Sequence, residues 1–129
     1  MIKRKLNFKK IGALTLLAVL SFGTAAFAES YGGYSLPIYQ GNTYWGEAYK
    51  SNPSNRCVYN EVDLFTNTTR ATFWITDSDE DQISNDYYFK QGEKKNMYAS
   101  QNITSGYVGM ENYYNSSKEA YVDGWINFN

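Results

Sequence analysis

Beyond residue 28, polar and apolar residues alternate with a period of two over several stretches. That is the spacing of strands with one buried face. Residues 57–66 show it most clearly. Val58, Val62 and Leu64 share one face, with Asn60 as the exception, and Tyr59, Glu61, Asp63 and Phe65 fill the other. The pattern predicts that Val58, Val62 and Leu64 turn toward the core. In 106–113, Tyr107, Gly109 and Glu111 oppose Val108, Met110 and Asn112. In 120–128, Val122, Gly124, Ile126 and Phe128 oppose Tyr121, Asp123, Trp125 and Asn127, and in 71–76, Phe73 and Ile75 oppose Thr72 and Trp74. Less regular strands are expected at 34–40, 42–50, 86–91 and 94–101. Pro37 marks the first of these as an edge strand, because proline has no N–H for a ladder. Turn-rich clusters at 51–55, 67–69 and 77–81, and Gly92, separate the stretches. No window beyond residue 28 keeps the i, i+3, i+4, i+7 spacing of a helix. About eight short strands at this spacing describe an all-β fold, a single antiparallel β-sandwich. Because the last strand runs to the final residue, 125–129 is expected to be tied into a sheet, and its removal to damage folding.

The first 28 residues break the pattern. Lys3, Arg4, Lys5, Lys9 and Lys10 precede an apolar run from Ile11 to Leu20, and Ala26-Phe27-Ala28 closes the segment. A basic start, a short apolar stretch and an A-x-A exit predict a secretory signal peptide at 1–28 and a secreted domain at 29–129. The run falls short of the ~20 residues that span hydrocarbon. No lipobox cysteine precedes the cut and no second apolar segment follows, so an extracellular protein without a membrane anchor after cleavage is expected. The lysine-dense start looks bacterial.

Removing the leader changes the charge. Five of the 12 basic residues lie in it, which leaves seven against 13 acidic residues, a net charge of −6. Such a surface disfavours nucleic acid, whose phosphates require basic groups, and is repelled by anionic membranes.

Composition narrows the chemistry further. The chain has no histidine, which excludes Ser-His and Cys-His nucleophile systems and histidine-based zinc sites. Its single cysteine, Cys57, cannot form an internal bridge and is expected to behave as a small hydrophobe at a strand start. Phosphate loops and dinucleotide fingerprints are absent. Glu47 with Glu61, or Asp63 with Glu111, could flank a glycosidic bond, but a solvated acidic surface supplies such pairs without catalysis, and no enzyme is expected. Asp77, Asp79 and Asp81 form a D-x-D-x-D run, whose alternate oxygens suit calcium. The rest of a calcium loop is missing, since Gln82 stands where glycine belongs and Tyr88 where glutamate belongs. The expectation is therefore an acidic turn and no cofactor, with calcium as the one candidate ion.

Aromatic residues carry the strongest binding signal. All 13 tyrosines and all three tryptophans lie beyond residue 28. Rings stack on sugar faces while neighbouring amides bond hydroxyls, and tyrosine offers rigid amphipathic area. Tyr44, Trp45, Tyr113, Tyr121 and Trp125 are the candidate ligand-binding residues. The competing role is cross-strand aromatic pairing that stabilises the sheets.

Several short motifs stand together: Gly41-Asn42 before an aromatic strand, Thr72-Phe73-Trp74-Ile75 before an acidic loop, Ile83-Ser84, Lys90-Gln91-Gly92, Glu111-Asn112 and Val122-Asp123-Gly124-Trp125. With the leader, they resemble a family of small exported Gram-positive proteins classed as a domain of unknown function. That resemblance implies a small secreted β domain and no activity. The chain departs from it in its extra tyrosines and in Cys57. It also resembles, more loosely, the lactococcin-972-type bacteriocins, which are small, exported and all-β. The leading expectation is a secreted non-enzymatic β-sandwich that binds at the cell surface, to wall glycan or protein. The alternatives are a bacteriocin-like toxin and a carboxylate-based glycosidase.

Overall fold

The computed structural model describes residues 28–129, so the signal peptide expected at 1–28 lies, apart from Ala28, outside the described residues. The chain forms β1 (Ala28–Leu36), a 3-10 turn (Ile38–Gln40), β2 (Thr43–Tyr49), β3 (Cys57–Thr66), β4 (Arg70–Ile75), β5 (Tyr87–Lys90), β6 (Lys94–Tyr98), β7 (Ser105–Asn112) and β8 (Ala120–Asn127). They build two antiparallel sheets, in the orders β1-β8-β3-β6 and β2-β7-β4-β5. The fold is the all-β sandwich that the alternation predicts.

Between the sheets lies one apolar core. The first sheet contributes Val58, Val62, Met97, Val122 and Ile126, and the second Phe73, Ile75, Phe89, Val108 and Met110. Phe73 and Phe89 meet edge to face at 4.8 Å, a favoured geometry for ring quadrupoles. The C-terminal strand β8 sits between β1 and β3 and pairs with both. Phe128, just beyond it, is fully buried.

The first strand differs from expectation. It runs Ala28–Leu36 rather than 34–40, because Pro37 has no N–H to extend the ladder and positive φ at Tyr39 and Gln40 then turns the chain. β1 is an edge strand, with Pro37 directly after it. The β1–β8 register shifts between Tyr31 and Tyr34. Gly32 and Gly33 occupy the irregularity, and Gly33 takes φ +60, a conformation glycine adopts without steric penalty. Tyr31 and Tyr34 thereby both pack against the core. The Tyr31 ring lies over Gly124, where a Cβ would stand 2.3 Å from the phenolic oxygen. Its hydroxyl donates to Asn60 Oδ1 at 2.9 Å. The Tyr34 hydroxyl donates to the Tyr44 carbonyl, which ties the first sheet to the second.

β3 corrects the assignment of Leu64. The β3–β8 register shifts between Val62 and Leu64, and one extra residue reverses the facing of everything after it. Leu64 is 47 % exposed, while Phe65 takes the core position at 7 %. Asn60 remains on the core face, fully buried.

Cys57 opens β3 half-buried and free. Beside it, Lys50 is buried. Its ammonium donates to the Cys57 carbonyl and lies 5.6 Å from the Phe128 ring centroid. Loss of hydration holds the Lys50 pKa below its ordinary value.

Candidate functional site

The same parity that buries Phe73, Ile75 and Phe89 turns Arg70, Thr72 and Trp74 of β4, and Tyr88 and Lys90 of β5, to the outside of the second sheet. Register then aligns them in rows. Arg70 lies opposite Lys90, Thr72 lies between Tyr88 and Glu111, and Trp74 pairs with Gly109, which pairs with Tyr44. A Cβ on Gly109 would stand 2.3 Å from Trp74 Cε2. Glycine there lets the indole lie against the β7 backbone. Tyr44 meets Trp74 and Tyr107 edge-on, both at 6.3 Å.

These rings differ in what they offer a ligand. Trp74 and Tyr107 are buried, so they floor the face. Tyr88, Tyr113 and Tyr114 are 49, 38 and 45 % exposed and touch one another in sequence. Tyr88 and Tyr113 are 5.6 Å apart at 87°, and Tyr113 and Tyr114 are 5.2 Å apart at 86°. The Arg70 guanidinium lies 4.9 Å from the Tyr113 ring centroid, within cation–π range.

Glu111 occupies the middle of the face, half-buried. Burial raises its pKa above the ordinary carboxylate value, and the like charge of Asp86 adds to the effect. Asp86 itself accepts a bond from Gln82 Nε2 at 2.8 Å.

The five aromatic residues singled out from sequence fall in three places. Tyr44 and Tyr113 lie on the outer face of the second sheet. Tyr121 and Trp125 lie on the outer face of the first. There Trp125 pairs with Ser30 and Glu61 and meets the Tyr59 ring at 5.6 Å. Asn127 and Asn96 flank Tyr59 in register. Trp45 turns inward and packs in the core, 7 % exposed, so its ring is not offered to solvent. Tyr88 and Trp74 join the second face without having been singled out. Their signal was parity, since each alternates with a core phenylalanine.

The sequence-level carboxylate pairs divide between the sheets. Glu61 of β3 pairs with Lys94 at 3.4 Å, whereas Glu47 of β2 accepts from Ser105 Oγ at 3.3 Å. Asp63 belongs to β3 and Glu111 to β7, and the like-charged neighbour of Glu111 is Asp86.

The acidic loop does converge. Carboxylate oxygens of Asp77, Asp79 and Asp81 lie within 4.8 Å of one another. The local cause is a turn held by Asp77, whose Oδ1 accepts from the N–H groups of Asp79 at 2.9 Å and Asp81 at 3.0 Å. Three carboxylates so placed are the donor type a hard cation takes. The same bonds also complete an ordinary aspartate turn.

Among the described residues no helix is long and apolar enough to cross a membrane. Comparison with protein-family models and with curated proteins finds no match to this chain.

Proposed function

We propose that this is a secreted, non-enzymatic β-sandwich that binds cell-surface glycan on the outer face of its second sheet. The observation that carries this reading is the exposed run Tyr88–Tyr113–Tyr114 beside Arg70. Three large rings held open to solvent, with Tyr113 touching the other two, form a patch of the kind that marks interaction surfaces. Each ring presents apolar area to a sugar face and a hydroxyl to its polar edge, with few rotamers to order on binding. Further along the same face Trp74 and Tyr107 pack with Tyr44. The leader at 1–28 supplies the route to the cell surface in this reading.

Retention on purified cell wall tests the proposal. Tyr88→Ala and Tyr113→Ala should each weaken binding about tenfold, the effect of losing ~1.4 kcal/mol at a contact. Trp125→Ala, on the opposite sheet, should leave retention unchanged. Failure of the parent protein to be retained, or equal retention of the tyrosine variants, refutes the reading. Loss with Trp125→Ala alone moves the site to the Trp125–Tyr59 face.

A further inference from the structure

Arg70 and Lys90 stand directly opposite one another on β4 and β5, at the end of the face where the tyrosines are exposed. Like charges in opposite register repel. In a domain of net charge −6, with carboxylates plentiful, that juxtaposition calls for a reason. Among the described residues Arg70 has no ion pair and no side-chain hydrogen bond. Among the described residues its guanidinium meets the Tyr113 ring alone. Stacking of that kind fixes the guanidinium plane and leaves its forked N–H donors open. Lys90 likewise makes no ion pair within 4.0 Å among the described residues. The neighbouring Glu93 carboxylate accepts instead from the Lys90 backbone N–H at 3.0 Å and pairs with Lys95 at 3.4 Å. In the next row of the same face Glu111 stands in register with Thr72 and Tyr88 and feels the like charge of Asp86. The two cations thus share one row of the face, and the row beside it holds Tyr88, Thr72 and Glu111.

We infer that the ligand is an anionic glycan whose carboxylate is read by Arg70 and Lys90 while its sugar ring stacks on Tyr88 or Tyr113. This rests on the glycan-binding reading above. A carboxylate fits because the planar arginine fork accepts it in a bidentate manner.

The test uses polygalacturonate as a carboxylated probe, its methyl ester as the neutral counterpart, and purified cell wall. The parent protein should bind the free acid at least tenfold more tightly than the ester, and increasingly weakly as salt is added. Arg70→Gln and Lys90→Gln should each abolish that preference, while Tyr113→Ala weakens binding to both polymers. Equal binding to acid and ester overturns the anionic inference and leaves the glycan reading standing. If Arg70→Gln binds the acid as the parent does, the cation pair is not the reader and the inference again fails. Wall retention lost when phosphodiester polymers are stripped, but kept when carboxyl groups are amidated, replaces the carboxylate with phosphate and overturns the assignment. No retention on wall and no binding to either polymer refutes the glycan reading itself.

Discussion

Tyr31→Phe tests how the first strand is held. The Tyr31 hydroxyl and the Asn60 side chain meet at 2.9 Å in the core, where Tyr31 is 4 % exposed and Asn60 is fully buried. Asn60 Nδ2 has no hydrogen-bond partner among the described residues. The pair therefore hangs on one bond. Burial, reinforced by Asp63, pushes the Tyr31 hydroxyl pKa up, so it stays a neutral donor across the working range. Removing that hydroxyl leaves the whole Asn60 amide buried without a partner, which costs about 1–3 kcal/mol. For a domain of this size each kcal/mol moves the melting temperature by roughly 4–8 °C. Asn60→Val alone should destabilise for the converse reason, stranding the phenol. The double variant, Tyr31→Phe with Asn60→Val, replaces both groups by apolar ones and should come back close to the parent. Urea denaturation of the four proteins, with unchanged m, gives the coupling directly. A Tyr31→Phe midpoint indistinguishable from the parent, or a double variant weaker than the sum of the singles, would refute the reasoning.

Other outcomes follow from the outer face and the acidic loop. Gly109→Ala drives a methyl into Trp74 and should destabilise by about 1–3 kcal/mol, with a red shift in tryptophan emission as the indole is displaced; unchanged emission would mean the ring does not rest there. The folded-state pKa of Glu111 lies above its ordinary value, so its charging opposes folding as pH rises through the carboxylate range. Glu111→Gln should accordingly raise the melting temperature at neutral pH and give no gain where the carboxylate is already protonated, and an equal gain at acid pH contradicts this. Asp77→Ala removes two turn-closing bonds and should cost about 1 kcal/mol, equally in calcium and in chelator. A calcium-dependent rise in the parent's melting temperature, absent from the variant, would assign the three aspartates to an ion instead.

Within single strands, the sequence was a reliable guide to which face is which. β3 spans 57–66 as the alternation predicts, and the opposed faces in β4, β7 and β8 appear as read, because side-chain direction in a strand has period two and depends on nothing remote. It misled wherever one residue was added. The irregularity after Val62 turned Leu64 outward and Phe65 inward, and the one between Tyr31 and Tyr34 lies in a part of β1 that the alternation did not mark as strand. Neither leaves a mark in composition, since an extra residue in a ladder is defined only against its partner strand.

The aromatic face lies further from what sequence can show. Tyr44, Tyr113, Tyr121 and Trp125 were equally good candidates along the chain, and nothing local told Trp45 from them. Local residue chemistry and alternation determined an all-β chain rich in rings, acidic beyond residue 28, with no histidine for catalysis. Only the pairing of strands far apart in sequence decided that Tyr88 stands beside Tyr113, that Arg70 faces Lys90, and that Trp125 belongs to the opposite side. Such neighbours are chosen by sheet order and register, which follow from burying two apolar faces against each other, and no short stretch of sequence contains that choice.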